Sequence, residues 1–127
     1  MSSGASQGTV VIADDDADIR TLVAIAARKA GLTVLAAVGD GDAALVAVRD
    51  SVPDLAILDV AMPGLSGLEI CRLIRADASL DRVRILLVSA SVDEASIRAG
   101  MAAGAAEYLS KPFSPRELTA RLVAQFS

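Results

Sequence analysis

The chain has no histidine and no tryptophan, a single cysteine, and only 2% aromatic residues. Without histidine, imidazole acid–base catalysis, histidine metal sites and phosphohistidine formation on this chain are excluded, and Cys/His zinc sites fall with them. Any metal has to be held by oxygen. One cysteine rules out an internal disulfide and fits a reducing, cytoplasmic setting. Cys71, among Leu68, Ile70, Leu73 and Ile74, reads as a small core residue. With 12 basic against 16 acidic residues and a net charge of -4, there is neither a cationic face nor a set of stacking rings, so direct nucleic-acid contact is not expected. Hydrophobic content is high, at 54%, but it lies in short runs of Ala, Val and Leu. None approaches the roughly 18 residues needed to span a membrane. Met1 to Gly8 is small and polar, without the basic segment and apolar core of a signal peptide. It is expected to be a disordered lead-in (1–8), with residues 9–127 as one domain long enough for a real core.

What is present is an alternation of short apolar runs and helical patterns. Thr9–Ala13 is a β-branched strand ending in Asp14-Asp15-Asp16, and Asp18–Ala30 has apolar residues at helical spacing with Gly31 as its stop. Thr33–Val38 is a second strand, Gly39-Asp40-Gly41-Asp42 a turn and cap, and Ala43–Val48 a helix. Leu55–Leu58, between Pro53 and Met62-Pro63-Gly64, reads as a strand buried on both faces, with Asp59 at its carboxyl end. Leu68–Ala76 is helical with Arg72 and Arg75 facing out. Arg84–Val88 is a fourth strand ending in Ser89-Ala90-Ser91, and Asp93–Ala103 an alanine-rich helix. Glu107–Leu109 is a fifth strand, running into Ser110-Lys111-Pro112-Phe113. Ser114, Pro115 and Glu117 then start a last helix as cap, first position and third position. Five strand–helix units predict an α/β, doubly wound (βα)5 flavodoxin-like sandwich with a parallel sheet in the order 2-1-3-4-5.

Ligands of such sheets gather outside the carboxyl ends of the strands. There the first strand presents Asp14, Asp15 and Asp16, the third Asp59, the fourth Ser89 and the fifth Lys111. In the expected order these converge on one crevice, while the second strand lies at the edge and offers only Val38 and Gly39. Carboxylates roughly 6 Å apart repel by on the order of 3 kcal/mol per pair at an effective dielectric of about 20. The Lys111 ammonium or a divalent cation must offset that, and magnesium takes carboxylate, phosphate and water oxygens. A carboxylate can itself attack phosphorus, with the charge on the transferred oxygens neutralised by metal, lysine and hydroxyl.

Asp14-Asp15, then Asp59 followed by Met62-Pro63-Gly64 and Gly67, then Ser89-Ala90, then Lys111-Pro112-Phe113, stand in this order across residues 9–126. The chain thereby resembles the receiver domain of bacterial two-component response regulators, of chemotaxis-regulator type. The resemblance implies Asp59 as phosphoacceptor. It implies magnesium held by Asp15 directly, by Asp14 through water, by Asp59 and by the Ala61 backbone carbonyl. Ser89 is then the switch hydroxyl, Tyr108 the aromatic switch that follows it inward, and Lys111 the phosphate partner, with a cis Lys111-Pro112 bond. Such a domain is not an enzyme on other substrates; it catalyses only its own phosphorylation and dephosphorylation. The donor would be a sensor histidine kinase, a phosphotransfer protein or acetyl phosphate. The output would be a downstream effector protein or domain, without membrane contact, and with homodimerisation on phosphorylation by family analogy. Kinase specificity is expected on the exposed face of the first helix, around Ile19, Arg20, Val23 and Ala27.

Two positions depart from the pattern. Ala61 has no polar side chain with which to steer water, so hydrolysis of the phosphoryl group is expected to rest on backbone and metal. Ser66 stands where the family often has an aspartate, and should serve as turn and helix cap. Asp16 and Asp18 read as first-turn helix residues favoured by the dipole, and Met62 and Phe113 as packing beside the site. A phosphorylation-independent interaction module would sooner lack the aspartate or the lysine. A magnesium-dependent aspartyl-phosphate phosphohydrolase would need a cap to enclose substrate. A flavin mononucleotide carrier would need a glycine- and hydroxyl-rich loop where three aspartates stand.

Overall fold

The computed structural model describes residues 8–126. In chain order it contains β1 (Gly8–Ala13), α1 (Ala17–Lys29), β2 (Leu32–Val38), α2 (Gly41–Ser51), β3 (Leu55–Asp59), α3 (Gly67–Arg75), a 3-10 turn (Ala78–Leu80), β4 (Arg84–Ser89), α4 (Glu94–Ala102), β5 (Glu107–Ser110) and α5 (Pro115–Gln125). The strands pair in parallel in the order β2-β1-β3-β4-β5, as the alternation predicts. All five residues of β3 are buried, since it lies inside the sheet with helices over both faces. Side-chain alternation divides the core accordingly. Val11, Ala13, Ala56, Leu58, Ile85 and Leu87 meet α2 and α3 through Ala44, Val48, Ile70, Cys71 and Ile74. Val10, Ile12, Leu55, Ile57, Leu86 and Val88 meet α1 and α5 through Val23, Ala26, Ala27, Leu118 and Leu122. Each fully buried valine, leucine or isoleucine among them contributes about 1.5–3 kcal/mol.

The helices begin where side-chain oxygens replace missing backbone acceptors. Asp16, Asp40, Ser66, Asp93 and Ser114 each take an N–H of the following turn, an interaction worth typically about 1 kcal/mol per cap. Ser66 and Glu69 form a reciprocal capping box, the role expected of Ser66. Asp16 is thus the cap of α1 rather than a residue of its first turn. Asp40 sets α2 two residues earlier than the apolar pattern does.

Three further expectations are corrected, and one element that was not anticipated is added. Gly8 is the first residue of β1 and not part of a disordered lead-in; residues 1–7 lie outside the described range. The turn Ala78–Leu80 has no strong pattern of its own and is nucleated by Asp77, which caps it. Arg75 does not face out: it runs under Gly104, and its guanidinium donates to the carbonyls of Asp81 and Val83. Val23 and Ala27 are buried at 2% and 0% exposure, whereas Leu22 and Ile25 are 43% and 42% exposed. The outer face of α1 is therefore rotated from the one expected. Apolar residues fill both sides of this helix, so hydrophobicity alone does not tell which side meets the sheet.

Candidate functional site

At the carboxyl edge of the sheet, the ends of β1, β3, β4 and β5 surround one acidic crevice. Asp14 follows β1; its N–H donates to the Val38 carbonyl at 3.1 Å, prolonging the pairing with β2 by one residue. Its Oδ1 accepts from the Asp16 N–H at 2.9 Å. Asp59 closes β3, and its Oδ1 accepts from the Ala61 N–H at 3.3 Å. Both carboxylates are nearly closed off, with 3% and 4% of each residue exposed. The Lys111 N–H donates to the Ser89 carbonyl at 2.8 Å. This brings the Nζ to 3.1 Å from Asp14 Oδ2 and 3.1 Å from Asp59 Oδ2. The Lys111-Pro112 bond is cis, as expected. Gly67 lets α3 start directly under the loop: a Cβ there would stand 2.4 Å from the Asp59 carbonyl oxygen.

Asp15 completes the cluster from the solvent side. One carboxylate oxygen from each of Asp14, Asp15 and Asp59 lies within 4.8 Å of the others. At an effective dielectric of about 20, each such pair repels by on the order of 3.5 kcal/mol. Burial, then the Asp14 charge, push the Asp59 carboxyl up to about 6, against the pull of Lys111 and the Ala61 N–H. For Lys111, burial favours the neutral amine, but the hydrogen bonds and charges of Asp14 and Asp59 outweigh it and hold the ammonium above its usual range. One cation against three carboxylates leaves the crevice negative. All donors are oxygens and one carboxylate is open to solvent, so the residues fit a hard divalent cation such as magnesium and would hold phosphate poorly without one.

The expected residues fall into two groups. Asp14, Asp15, Asp59 and Lys111 meet in the crevice. Ser89 stands on its rim at the end of β4, 5% exposed, its Oγ accepting from the Ser91 N–H at 3.0 Å. Tyr108 is outside the carboxylate cluster, half-buried against Gly100 of α4. Its hydroxyl donates to the Ser91 carbonyl at 2.7 Å. A small cavity of about 140 Å³ lies beside it, lined by Val60, Leu68, Ser91, Ser96 and Ala99. Met62 and Phe113 pack on opposite core layers beside the site. One participant was not singled out in the sequence for this role: Arg20, whose Nη1 donates to the Asp14 carbonyl at 2.8 Å. An arginine one turn into the helix after an acidic loop, with a glycine after the neighbouring strand, is the only signal that could have found it.

The sequence profile of the family described as response regulator receiver domain matches residues 10–123. The chain belongs to that family. This receiver domain is 40% identical over 116 residues to the DNA-binding response regulator MtrA of Mycobacterium tuberculosis, covering 91% of this chain and 49% of that protein. It is 41% identical over 116 residues to the phosphate regulon transcriptional regulatory protein PhoB of Pseudomonas aeruginosa, covering 91% of this chain and 50% of that one. The chain thus spans about half the length of the curated relatives it matches. Among solved structures, it superposes on the receiver domain of the response regulator NarL from Mycobacterium tuberculosis with a TM-score of 0.88. That pair is 28% identical, over 96% of this chain and 98% of the other. It also superposes on the chemotaxis response regulator CheY4 of Vibrio cholerae with a TM-score of 0.83 at 29% identity, over 94% and 98%. Among the described residues no helix is long and apolar enough to cross a membrane.

Proposed function

We propose that this receiver domain accepts a phosphoryl group on Asp59 from a histidine kinase or phosphotransfer protein in the cytoplasm, and that the modification repacks a protein-binding face. The observation that carries this is a buried carboxylate paired to Lys111 at 3.1 Å within an oxygen set closed to 4.8 Å. Asp14, Asp15, Asp59 and the Ala61 carbonyl would hold magnesium. When bound, the ion supplies positive charge against the oxygens of the transferring group. With a pKa of about 6, Asp59 is ionised at neutral pH and nucleophilic. Its oxygen forms the new P–O bond as the P–N bond of the donor breaks. The released electron pair stays on the donor imidazole nitrogen, which takes a proton from solvent. Lys111 neutralises one phosphoryl oxygen, and the Ser89 hydroxyl donates to another.

The output begins at Ser89. To donate to the phosphoryl group, its Oγ has to turn from the Ser91 N–H it now accepts from, while the Ser91 carbonyl holds Tyr108. The helix beyond this loop is lightly anchored: Gly100 is the only buried residue of α4. A local change in charge can therefore shift a two-state balance on the α4–β5–α5 face, to be read by an effector or a second copy of the domain. With alanine at position 61, water reaching the phosphoryl group meets no side-chain base there, so hydrolysis rests on backbone and metal. Incubation with acetyl phosphate and magnesium tests the proposal by intact mass. One alkali-labile phosphoryl group, lost in Asp59→Asn, is expected; turnover of many donor equivalents without a stable adduct would instead indicate a phosphohydrolase.

A further inference from the structure

Asp15 poses a problem that its own contacts do not solve. Its carboxylate is exposed, and among the described residues no hydrogen bond or ion pair holds it. Asp14, by contrast, is tied at every polar group: the N–H to Val38, Oδ1 to the Asp16 N–H, Oδ2 to Lys111, and the carbonyl to Arg20. That carbonyl belongs to the peptide plane joining Asp14 to Asp15. Whatever grips it sets the direction in which the Asp15 Cα, and hence its side chain, leaves the strand end.

The grip is built from two other elements. Arg20 reaches back from the first turns of α1, half-buried, with Nη1 at 2.8 Å from the carbonyl. The guanidinium lies against Gly39 in the loop after β2, where a Cβ would stand 3.0 Å from Nη1 and 3.9 Å from Cζ. The Gly39 backbone is not among the residues in the left-handed region, so its missing side chain serves the close approach rather than a turn. Arg20 thus clamps the β1–α1 loop between α1 and the β2–α2 loop.

We infer that Arg20 is a positioning residue for magnesium binding, holding the Asp14–Asp15 peptide plane so that the otherwise untethered Asp15 carboxylate faces Asp14 and Asp59. The inference rests on the proposed magnesium-dependent function. It also opposes what charge alone dictates: a guanidinium near the crevice repels a dication, so a purely electrostatic Arg20 would weaken magnesium binding, and its removal would tighten it. Outer partners that orient metal ligands are worth about 10–100-fold in affinity, and the positioning role has the opposite sign.

Magnesium titration by calorimetry, with amide chemical shifts of Asp15 and Asp16 in the magnesium-free protein, separates the two. Arg20→Met keeps the apolar stem and removes the donor; Arg20→Lys keeps a donor without the planar fork. The expected result is about tenfold weaker magnesium binding in R20M, R20K in between, and displaced Asp15 amide shifts before any metal is added. Binding in R20M that is equal to or tighter than in the unsubstituted protein overturns the inference, as do unmoved Asp15 shifts. If R20M does not fold, R20K carries the same test: affinity equal to the unsubstituted protein with unmoved shifts overturns it, and a loss supports it. Failure of the unsubstituted protein to bind magnesium would overturn the functional proposal and this inference with it, an outcome read without any variant.

Discussion

The two ends of β3 carry the same residue type in opposite circumstances. Asp54, just before the strand, accepts from the Thr9 N–H at 2.8 Å and the Thr9 hydroxyl at 3.1 Å. Its own N–H donates back to that hydroxyl, and its carbonyl takes the Arg84 N–H. Asp59, at the other end, has one N–H at 3.3 Å and a share of one lysine, beside two further carboxylates. A carboxylate with several donors stabilises the fold, whereas one crowded by its own kind opposes it. The amino edge of the sheet is spent on structure. The carboxyl edge stores repulsion that a cation can relieve.

The sharpest way to break this contrast is to remove each carboxylate in turn and ask for phosphorylation. Asp59→Asn is expected to abolish labelling by acetyl phosphate, while Asp54→Ala leaves it on the same order as the unsubstituted protein. Labelling that survives D59N would place the acceptor elsewhere.

The next largest effect is on stability. The folded-state pKa of Asp59, about 6 against an ordinary 3.8, means that the folded chain binds its proton more tightly than the unfolded chain. Without magnesium, stability is then greatest below about pH 4 as far as this group is concerned, and is lost as pH rises through about 6. The ceiling is on the order of 3 kcal/mol. Urea midpoints measured from pH 4.5 to 7.5 should fall accordingly. D59N should flatten the curve and raise stability at neutral pH, and magnesium should recover much of the loss in the unsubstituted protein. A curve equally steep in D59N would remove Asp59 as the cause.

At the amino edge the sign reverses. Asp54→Ala leaves the Thr9 N–H and hydroxyl without their partner and should cost about 1–3 kcal/mol in chemical denaturation. A cost near zero would mean that water replaces the carboxylate freely. The smallest effect concerns Val52, two residues earlier, which sits at φ 44 and ψ 66, a region that β-branched residues rarely enter. Val52→Gly should stabilise by about 1 kcal/mol at most, since relief of strain is partly offset by a more flexible unfolded chain. Clear destabilisation would show that the exposed Val52 side chain contributes packing that outweighs its backbone conformation.

Legibility differed between elements for physical reasons. The strands are readable because β3 and β4 are short apolar runs closed by Asp59 and Ser89, and the meeting of Asp14, Asp15, Asp59 and Lys111 is readable because these polar residues follow their strands directly. The α2 start was harder, since Asp40 makes the cap with a side chain and leaves no apolar trace. Arg75 and Arg20 both read as outward-facing and both turn inward for one reason: each long side chain is committed to backbone carbonyls of another segment, and a carbonyl carries no residue identity. The rotation of α1 is not legible at Val23 and Ala27, because an apolar stripe does not declare which side the sheet occupies.

Taken alone, the amino-acid order determined five strand–helix units, their parallel arrangement and the polar groups at each strand end, because periodicity and capping act over a few neighbouring residues. Only the tertiary structure decided that Lys111 stands between Asp14 and Asp59, that Arg20 grips the peptide ahead of Asp15, and that Leu22 and Ile25 rather than Val23 and Ala27 face solvent. Those outcomes depend on how the sheet brings distant loops together, and on how each helix is turned as it settles on its face.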